Sequence, residues 1–304
     1  MTARIALKSA LDLAAGFGAV WVAQNGAVAR VEDAGARLVD SIRTPAVGAD
    51  GHIAAGQGSV WVTSGRDGGL VYRIDPRTNR VTATVNVGGS AIGIAIGGGW
   101  VWVTRVPSAG GSGEVLRIDP QRNRVTGTPI TVGPGPAQLS FGSGAAWVQN
   151  TSPTSVMRID LGTGRVSTIV GTDSTSDGSF VVGAIATGNG SLWTVRNDAL
   201  ARWDPATGAL IATVRIARAE LVAAAPRDVW VLAAARSSSP TLFFPIEHTA
   251  ALWEVDPRRN RVLGRPLALN GPVALAVSAG RVWVVDYSYR SGATTLLALA
   301  PARS

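Results

Sequence analysis

Residues 51–89 read GHIAAGQGSVWVTSGRDGGLVYRIDPRTNRVTATVNVGG, four short runs of apolar or alternating residues separated by turn residues. Each run has the length and the β-branched content of a strand. The first run ends at a Gly turn, the second carries Trp61, and the third ends at a turn that Asp75 opens. The stretch therefore predicts one antiparallel sheet of four strands.

This pattern recurs along the whole chain. A tight turn followed by a Trp-bearing strand occurs seven times, at Trp21, Trp61, Trp102, Trp147, Trp193, Trp230 and Trp283, and the turn contains Gly in every copy but the sixth. A period of about 40 residues with four strands per repeat is typical of a β-propeller. We predict an all-β, seven-bladed β-propeller with four-stranded antiparallel blades, as a single domain over residues 1–304. The predicted blades cover residues 11–48, 51–89, 92–134, 137–171, 183–217, 220–270 and 273–304, with 3–8 added to the last.

The two ends of the sequence complement each other. The last repeat has three strands, and the sequence begins with a spare one at Arg4-Ile5-Ala6-Leu7. We expect this N-terminal strand to become the outer strand of the last blade. Such pairing would close the ring and cover an exposed sheet edge.

Two recurring residue types have a structural interpretation. One is the aspartate that opens the turn between the third and fourth strands, whose carboxylate is expected to accept turn N–H groups. The clearest copies are Asp75, Asp119, Asp160, Asp204 and Asp256. The other is the strand Trp, which recurs once per blade and is expected to pack between blades rather than to stack on a ligand.

The composition limits the class of partner. The chain has 28 basic and 20 acidic residues, and Lys8 is its only lysine. Because many arginines recur at fixed repeat positions, we do not expect a nucleic acid partner. A basic face is nevertheless available to an anionic partner, the alternative being a solvated rim. Its arginines lie in the turns between third and fourth strands: Arg77, Arg80, Arg122, Arg124, Arg165, Arg258, Arg259 and Arg261.

Neither a membrane span nor a compartment is indicated. No stretch approaches 18 apolar residues, so no membrane insertion is expected, and no secretory leader is visible. The protein would be cytoplasmic if the chain is full-length, and extracytoplasmic if it is a mature or domain-only form. The absence of cysteine excludes disulfides and thiolate-bound zinc. We expect a monomer.

Counting nine residues back from each Trp gives one register in every blade. The seven positions hold Asp12, His52, Gly93, Gln138, Ala184, Leu221 and Ala274. They lie at the top face, the side with the loops that enter each first strand and those that join second to third strands. A carboxylate beside an imidazole could orient it and raise its pKa for acid–base chemistry. The alternative is a hydrogen bond that ties blades one and two together.

The loops between second and third strands differ most among the copies. Copy six has the longest, and together with the next blade it holds an aromatic and charged set that a binding surface requires. The alternative is that Phe243 and Phe244 fold back to cap blade six. The ligand-binding candidates are Asp12, His52, Gln138, Arg105, Arg196, Phe243, Phe244, Tyr287, Tyr289 and Arg290. The catalytic candidates are His52, His248 and Glu247. We predict no metal site, because Glu247 and His248 are adjacent, and adjacent residues of a strand point to opposite sides of the sheet.

The repeat G-x-G-x-V-W-V-T … V-x-R-I-D-P-x-T-N-R-V resembles that of the bacterial YVTN-type and streptogramin (virginiamycin B) lyase-like propellers. The resemblance covers essentially the whole chain and is closest over residues 51–135. It implies a propeller and, from the lyase relatives, Mg²⁺-dependent opening of a cyclic depsipeptide by elimination with His and Glu side chains. The lyase repeats carry an acidic residue after the Trp strand, and here only Asp286 is acidic at that position.

Three functional hypotheses follow. The first is a non-catalytic recognition module that binds a protein, peptide or small ligand through top-face loops and needs no cofactor. The second is a streptogramin B lyase-like carbon–oxygen lyase, with His52 or His248 as base and Glu247 or Asp12 helping to hold Mg²⁺. The third is a scaffold whose basic face docks an acidic partner. We favour the first.

Overall fold

The computed structural model describes residues 3–45, 47–48, 50–65, 68–151, 154–170, 185–196, 198–233, 250–278, 280–288 and 291–300. These residues form 28 strands and no helix. The strands make seven four-stranded sheets with antiparallel neighbours, so the prediction of an all-β, seven-bladed β-propeller is confirmed. The chain divides into two compact units, residues 11–180 and residues 1–10 with 181–304.

The first unit, residues 11–180, contains blades one to four. Each blade runs from its first to its fourth strand in chain order, as the hairpin pattern predicts. Blade one consists of β2 (Asp12–Gly16), β3 (Ala19–Gln24), β4 (Ala27–Glu32) and β5 (Arg37–Arg43), and blade two of β6 (Ile53–Gly56), β7 (Ser59–Thr63), β8 (Leu70–Asp75) and β9 (Arg80–Asn86). Blade three consists of β10 (Ser90–Gly97), β11 (Trp100–Val106), β12 (Gly113–Asp119) and β13 (Arg124–Gly133), and blade four of β14 (Pro136–Gly142), β15 (Ala145–Thr151), β16 (Thr154–Asp160) and β17 (Val166–Val170).

The second unit contains blades five to seven. Blade five consists of β18 (Ile185–Gly188), β19 (Ser191–Arg196), β20 (Ala199–Trp203) and β21 (Leu210–Arg215), and blade six of β22 (Ala219–Ala224), β23 (Val229–Ala233), β24 (Ala250–Asp256) and β25 (Arg261–Leu269). Blade seven consists of β26 (Pro272–Ser278), β27 (Arg281–Tyr287), β28 (Thr294–Leu299) and β1 (Ala3–Leu7). β1 pairs antiparallel with β28 over five residue pairs, with Ile5 opposite Leu296. The N-terminal strand therefore completes the last blade, as predicted.

In each unit the apolar core lies in layers between successive sheets. Trp61 of blade two, for example, belongs to one buried cluster with Ile94 and Val101 of blade three. The strand tryptophans of blades one, two, four, five and seven are fully buried. The Nε1 atoms of Trp21, Trp102, Trp147 and Trp193 donate to the carbonyl five residues earlier, at 2.9–3.3 Å. The expectation that these residues pack between blades is confirmed.

The Asp turns also form as predicted. In all five clear copies, one or two turn N–H groups donate to the aspartate, as in the 2.7 Å hydrogen bond from Arg77 N to Asp75 Oδ1. The pKa of each aspartate is lowered, mainly by these backbone hydrogen bonds and, for Asp119, by the Arg122 guanidinium. That of Asp160 falls to about 2. These carboxylates therefore stabilise turns.

An arginine on the third strand joins one blade to the next. The Arg73 guanidinium lies 5.2 Å from the centre of the Trp61 ring. Its Nη1 donates across the blade boundary to the carbonyl of Pro120 at 2.6 Å and to Asn123 Oδ1 at 2.8 Å. Arg30 and Arg202 make the equivalent contacts with the Pro and Asn of the following turn. Each of these arginines therefore combines a cation–π contact with an inter-blade bridge.

No helix in the described residues is long and apolar enough to span a membrane.

Candidate functional site

The register that places Asp12 and His52 at one level is confirmed by their contact. Asp12 is the first residue of β2, and His52 immediately precedes β6, the first strand of the neighbouring blade. His52 Nδ1 lies 3.0 Å from Asp12 Oδ2. Both side chains are about one quarter exposed, at 28% and 26%. The structure thus brings these two predicted site residues together at the top end of blades one and two.

Asp12 is also bound by the backbone. Its Oδ1 accepts the N–H of Leu13 at 2.8 Å, and its Oδ2 accepts the N–H of Ile53 at 3.1 Å. The carboxylate therefore orients the imidazole and fixes the start of the first strand of blade two. This is the inter-blade tie that the sequence left open as an alternative to acid–base chemistry.

The electrostatics of His52 favour its protonated form. Burial lowers its pKa, but the hydrogen bond to Asp12 and the charges of Asp12 and Asp50 raise it by more, so the pKa lies above its ordinary value. With Nδ1 engaged by Asp12, Nε2 is the nitrogen left for a ligand. The protonated ring offers a hydrogen-bond donor at that position.

The backbone of His52 begins a chain of hydrogen bonds. Its N–H donates to Thr63 Oγ1 at 2.9 Å, and that hydroxyl donates to the carbonyl of Ile92 in blade three at 2.7 Å. Thr63 is buried in the second strand of blade two, two residues after Trp61. A single threonine thus connects two blades beside the candidate site.

The next blade repeats this arrangement. The N–H of Gly93 donates to Thr104 Oγ1 at 2.7 Å, and Thr104 Oγ1 donates to the carbonyl of Ala137 in blade four at 3.0 Å. Gly93 occupies the register of Asp12 and His52, and a Cβ there would overlap the carbonyl oxygen of Ala137. Glycine at this position is therefore explained by close approach of backbones.

Gln138, the residue after Ala137, occupies in blade four the position that Asp12 and His52 occupy in blades one and two. It is half-buried. In blade four the threonine position is taken by Gln149, which is buried and whose Oε1 has no hydrogen-bond partner. The pattern of blades two and three thus changes here, and Gln138 stays a predicted ligand-binding residue.

The guanidinium of Arg105 is already occupied within the protein. It pairs with Glu114 on the adjacent strand, and its Nη1 donates to the carbonyl of Val87 at 2.6 Å. The sequence did not indicate this partner, because strand pairing decides which residue lies opposite Arg105. A ligand at Arg105 would compete with these contacts.

In blade seven, Asp286 and Tyr287 hold the loop that enters the first strand. Asp286 accepts hydrogen bonds from Asn270 N, Asn270 Nδ2 and Gly271 N, at 2.8–3.1 Å. The N–H of Tyr287 donates to the carbonyl of Gly271 at 2.9 Å. The one acidic residue after a Trp strand thus shapes a loop, and the half-buried Tyr287 stays a binding candidate.

The other candidates lie outside the described residues. These are Phe243, Phe244, Glu247, His248, Tyr289 and Arg290. For Arg196, the last residue of β19, the backbone is described and the side chain is not.

The donor set at Asp12 and His52 does not fit the Mg²⁺ that the lyase hypothesis implies. Both carboxylate oxygens of Asp12 are taken by N–H groups or the imidazole, which leaves few lone pairs for a cation. Among the described residues, no three His, Cys, Asp or Glu side chains cluster as a metal site would require. No catalytic step through a metal can be derived from these residues.

Blade six contains an acidic pair that the sequence reasoning missed. Glu254 lies opposite Trp230, whereas the strand Trp of blades one to five lies opposite an arginine and that of blade seven lies opposite Ala298. Burial raises the pKa of Glu254 and of Asp228, and each is raised further by a neighbouring carboxylate. Alignment of the repeats on their Trp and Asp positions would have revealed this exchange of charge.

Comparisons with known proteins identify the fold. No protein-family model matches the chain, and no curated protein matches its sequence. The RRP9 WD40 repeats are 12% identical with a TM-score of 0.72, and 97% of each chain is covered. The Pan2 WD40 domain of Neurospora crassa is 13% identical with a TM-score of 0.67, over 97% of this chain and 90% of that one. The computationally designed protein Ika8 is 12% identical with a TM-score of 0.61, over 97% and 98%.

Proposed function

We propose that this protein is a non-catalytic recognition module of the propeller class, which binds a protein, peptide or small ligand through top-face loops. The observation that carries the proposal is the Asp12–His52 pair. Two blades hold it in place by hydrogen bonds to side chain and backbone, and it remains partly open to solvent. A fixed polar group on a rigid scaffold is a common basis of specific binding.

The environment of His52 suits a hydrogen-bond donor. Burial lowers the pKa of the imidazole, but the hydrogen bond to Asp12 and the charges of Asp12 and Asp50 raise it by more, so a proton on Nε2 is favoured relative to an ordinary histidine. Asp12, in turn, is committed to three hydrogen bonds. The pair therefore resembles a fixed donor, and its ligand would present an acceptor such as a carboxylate.

Other candidates would extend the contact surface. Phe243, Phe244, Tyr287, Tyr289 and Arg290 remain predictions for binding, as do Gln138, Arg105 and Arg196. The propeller neighbours support the fold on which this proposal rests. The YVTN-type and lyase-like resemblance remains a hypothesis about ancestry, since no family model matches.

Peptide display on the immobilised protein tests the proposal. Peptides selected at pH 6 should include an acidic residue, and His52→Gln should weaken their binding by about tenfold, the loss of one charge-assisted hydrogen bond. Because the folded pKa of His52 is raised, wild-type affinity should be full below it and should fall as pH rises through it. His52→Gln should remove that pH dependence.

Two results would contradict the proposal. One is a set of peptides whose affinity is the same for wild type and His52→Gln at every pH. The other is catalysis: magnesium-dependent linearisation of a type B streptogramin, followed by chromatography and abolished by His52→Ala or His248→Ala, would establish the lyase instead.

A further inference from the structure

The ends of blades two and three opposite His52 carry a positively charged surface. The turns between their third and fourth strands are adjacent, because Arg73 of blade two donates to Pro120 and Asn123 in the turn of blade three. Each turn exposes two arginines. We refer to the four as the turn arginines: Arg77, Arg80, Arg122 and Arg124.

The acidic residues of these turns do not cancel this charge. Each turn has one aspartate for its two arginines, Asp75 in the first and Asp119 in the second. Both accept backbone N–H groups of the turn, and Asp119 is buried. The side chains of Arg77 and Arg122 are 89% and 66% exposed, and each forms an ion pair with its own turn aspartate. Each turn therefore keeps a net positive charge, carried by exposed guanidinium groups.

Beside this surface lies a recessed arginine with unused donors. Arg117 occupies the repeat position of Arg73, and its guanidinium lies 5.6 Å from the centre of the Trp102 ring and 5.9 Å from that of Trp100. Its Nε is buried and has no hydrogen-bond partner. Because Nε is enclosed, a ligand would bind Arg117 through its Nη atoms.

The next turn explains why Arg117 lacks its bridge. Arg30, Arg73 and Arg202 all donate to a Pro carbonyl and an Asn side chain in the following turn. In the turn of blade four these two positions hold Leu161 and Gly164, so the side-chain acceptor is missing. The carboxylate of Asp160 in that turn is bound instead by Arg158 and by the turn itself.

Gly127 provides the space in which the Arg117 guanidinium lies. It has a φ of +73° at a bulge in the outer strand, and a Cβ there would overlap Arg117 Nη2. The guanidinium is therefore bounded by two indoles on one side and by bare backbone on another. A planar donor group held in this way is prepared for a planar carboxylate.

We propose that the turn arginines and Arg117 form a docking surface for an acidic peptide segment of a partner protein, with Arg117 binding one carboxylate through its Nη atoms. The turn arginines would supply long-range attraction, and Arg117 would supply the specific contact. A peptide fits better than a nucleic acid, because each turn carries an aspartate beside its two arginines and neither turn carries an aromatic residue for base stacking. This surface is separate from the site at Asp12 and His52.

The test uses a fluorescein-labelled decapeptide of alternating Glu and Ala and measures its binding by anisotropy. Wild type should bind it in a salt-dependent manner, and Arg117→Gln should weaken binding by about tenfold. Arg37→Gln is the matched control, since it removes the same charge from an exposed arginine of blade one that pairs only with Glu32. It should change the affinity by less than about twofold.

A second variant restores the missing bridge. Gly164 has a φ of +71°, close to the +50° to +57° of Asn79, Asn123 and Asn260, so Gly164→Asn should be accepted. The new side chain would accept from Arg117 as Asn123 accepts from Arg73. We expect the thermal midpoint to rise and the peptide affinity to fall, which separates the role of Arg117 in binding from any role in folding.

Three outcomes would overturn the docking proposal. The first is equal weakening by Arg117→Gln and Arg37→Gln, which means non-specific attraction. The second is a more stable Gly164→Asn variant with unchanged peptide affinity. The third is tighter, Arg117-dependent binding of a single-stranded oligonucleotide than of the peptide. Arg117→Gln should leave the pH-dependent, His52-dependent binding of the displayed peptides unchanged, so a failure here is distinguishable from a failure of the proposed function.

Discussion

The buried Nε of Arg30 has no hydrogen-bond partner, whereas the Nε atoms of Arg73 and Arg202 each donate to a serine hydroxyl at 2.8 Å. Those serines, Ser59 and Ser191, lie two residues before the strand Trp of their blades. The same position in blade one is the buried Ala19. The choice of Ser or Ala at this one position thus decides whether the Nε of the bridging arginine has a hydrogen-bond partner.

We predict that Ala19→Ser stabilises the protein. The new hydroxyl would accept the N–H of Arg30 Nε, and satisfying a buried donor should add about 1 kcal/mol to the free energy of unfolding. For a chain of this size the thermal midpoint should rise by about 2 °C, measured by calorimetry.

The converse substitution provides the control for this prediction. Ser59→Ala leaves Arg73 Nε without its acceptor and should lower the thermal midpoint. An unchanged or lower midpoint for Ala19→Ser would mean that the unpaired Nε is not a source of instability.

At the scale of the strand, polar side chains in a few second strands connect the blades. In blades two and three, a peptide N–H donates to a threonine hydroxyl, which donates to the peptide carbonyl of the next blade. The Ile92–Gly93 peptide accepts from Thr63 through its carbonyl and donates to Thr104 through its N–H, so the two threonine-centred hydrogen-bond chains are continuous. Linked hydrogen bonds of this kind polarise and strengthen one another.

We predict that Thr63→Val destabilises the protein by about 2–4 kcal/mol, because valine keeps the shape but leaves His52 N–H and the Ile92 carbonyl unpaired. Chemical denaturation measures the loss. Thr84→Val, on the exposed outer strand β9 of the same blade, should change stability by less than about 0.5 kcal/mol. Similar effects from both variants would contradict a special role for the Thr63 hydroxyl.

The strands were predictable because their signals are local. The Trp period, the Gly turns and the Asp turns mark most of the hairpins, and the two-residue strand period carries the register far enough to place Asp12 beside His52. The partner of Arg105 and the missing acceptor of Arg117 were not predictable in this way. They depend on the residue that lies opposite on an adjacent strand or in the turn of the next blade. The repeats share their Trp and Asp positions but differ at these contact positions.

At the scale of the whole chain, the first and last strands share one sheet. Ile5 of β1 is buried opposite Leu296, and five residue pairs join β1 to β28. Without β1, the backbone N–H and C=O groups along one side of β28 would be unpaired, and its buried leucines would lose a neighbour. Such an edge is a template for pairing with another chain.

We therefore predict that deletion of residues 1–8 lowers the free energy of unfolding by about 3 kcal/mol or more, from the burial of Ile5 and the lost strand pairing. Light scattering should show aggregation on warming, while deletion of residues 1–2 should change neither stability nor solubility. A synthetic peptide of residues 3–8, ARIALK, should restore part of the thermal midpoint by adding the strand in trans. If the truncated protein instead unfolds at the wild-type temperature and stays monomeric, β1 is not the element that completes the last blade in solution.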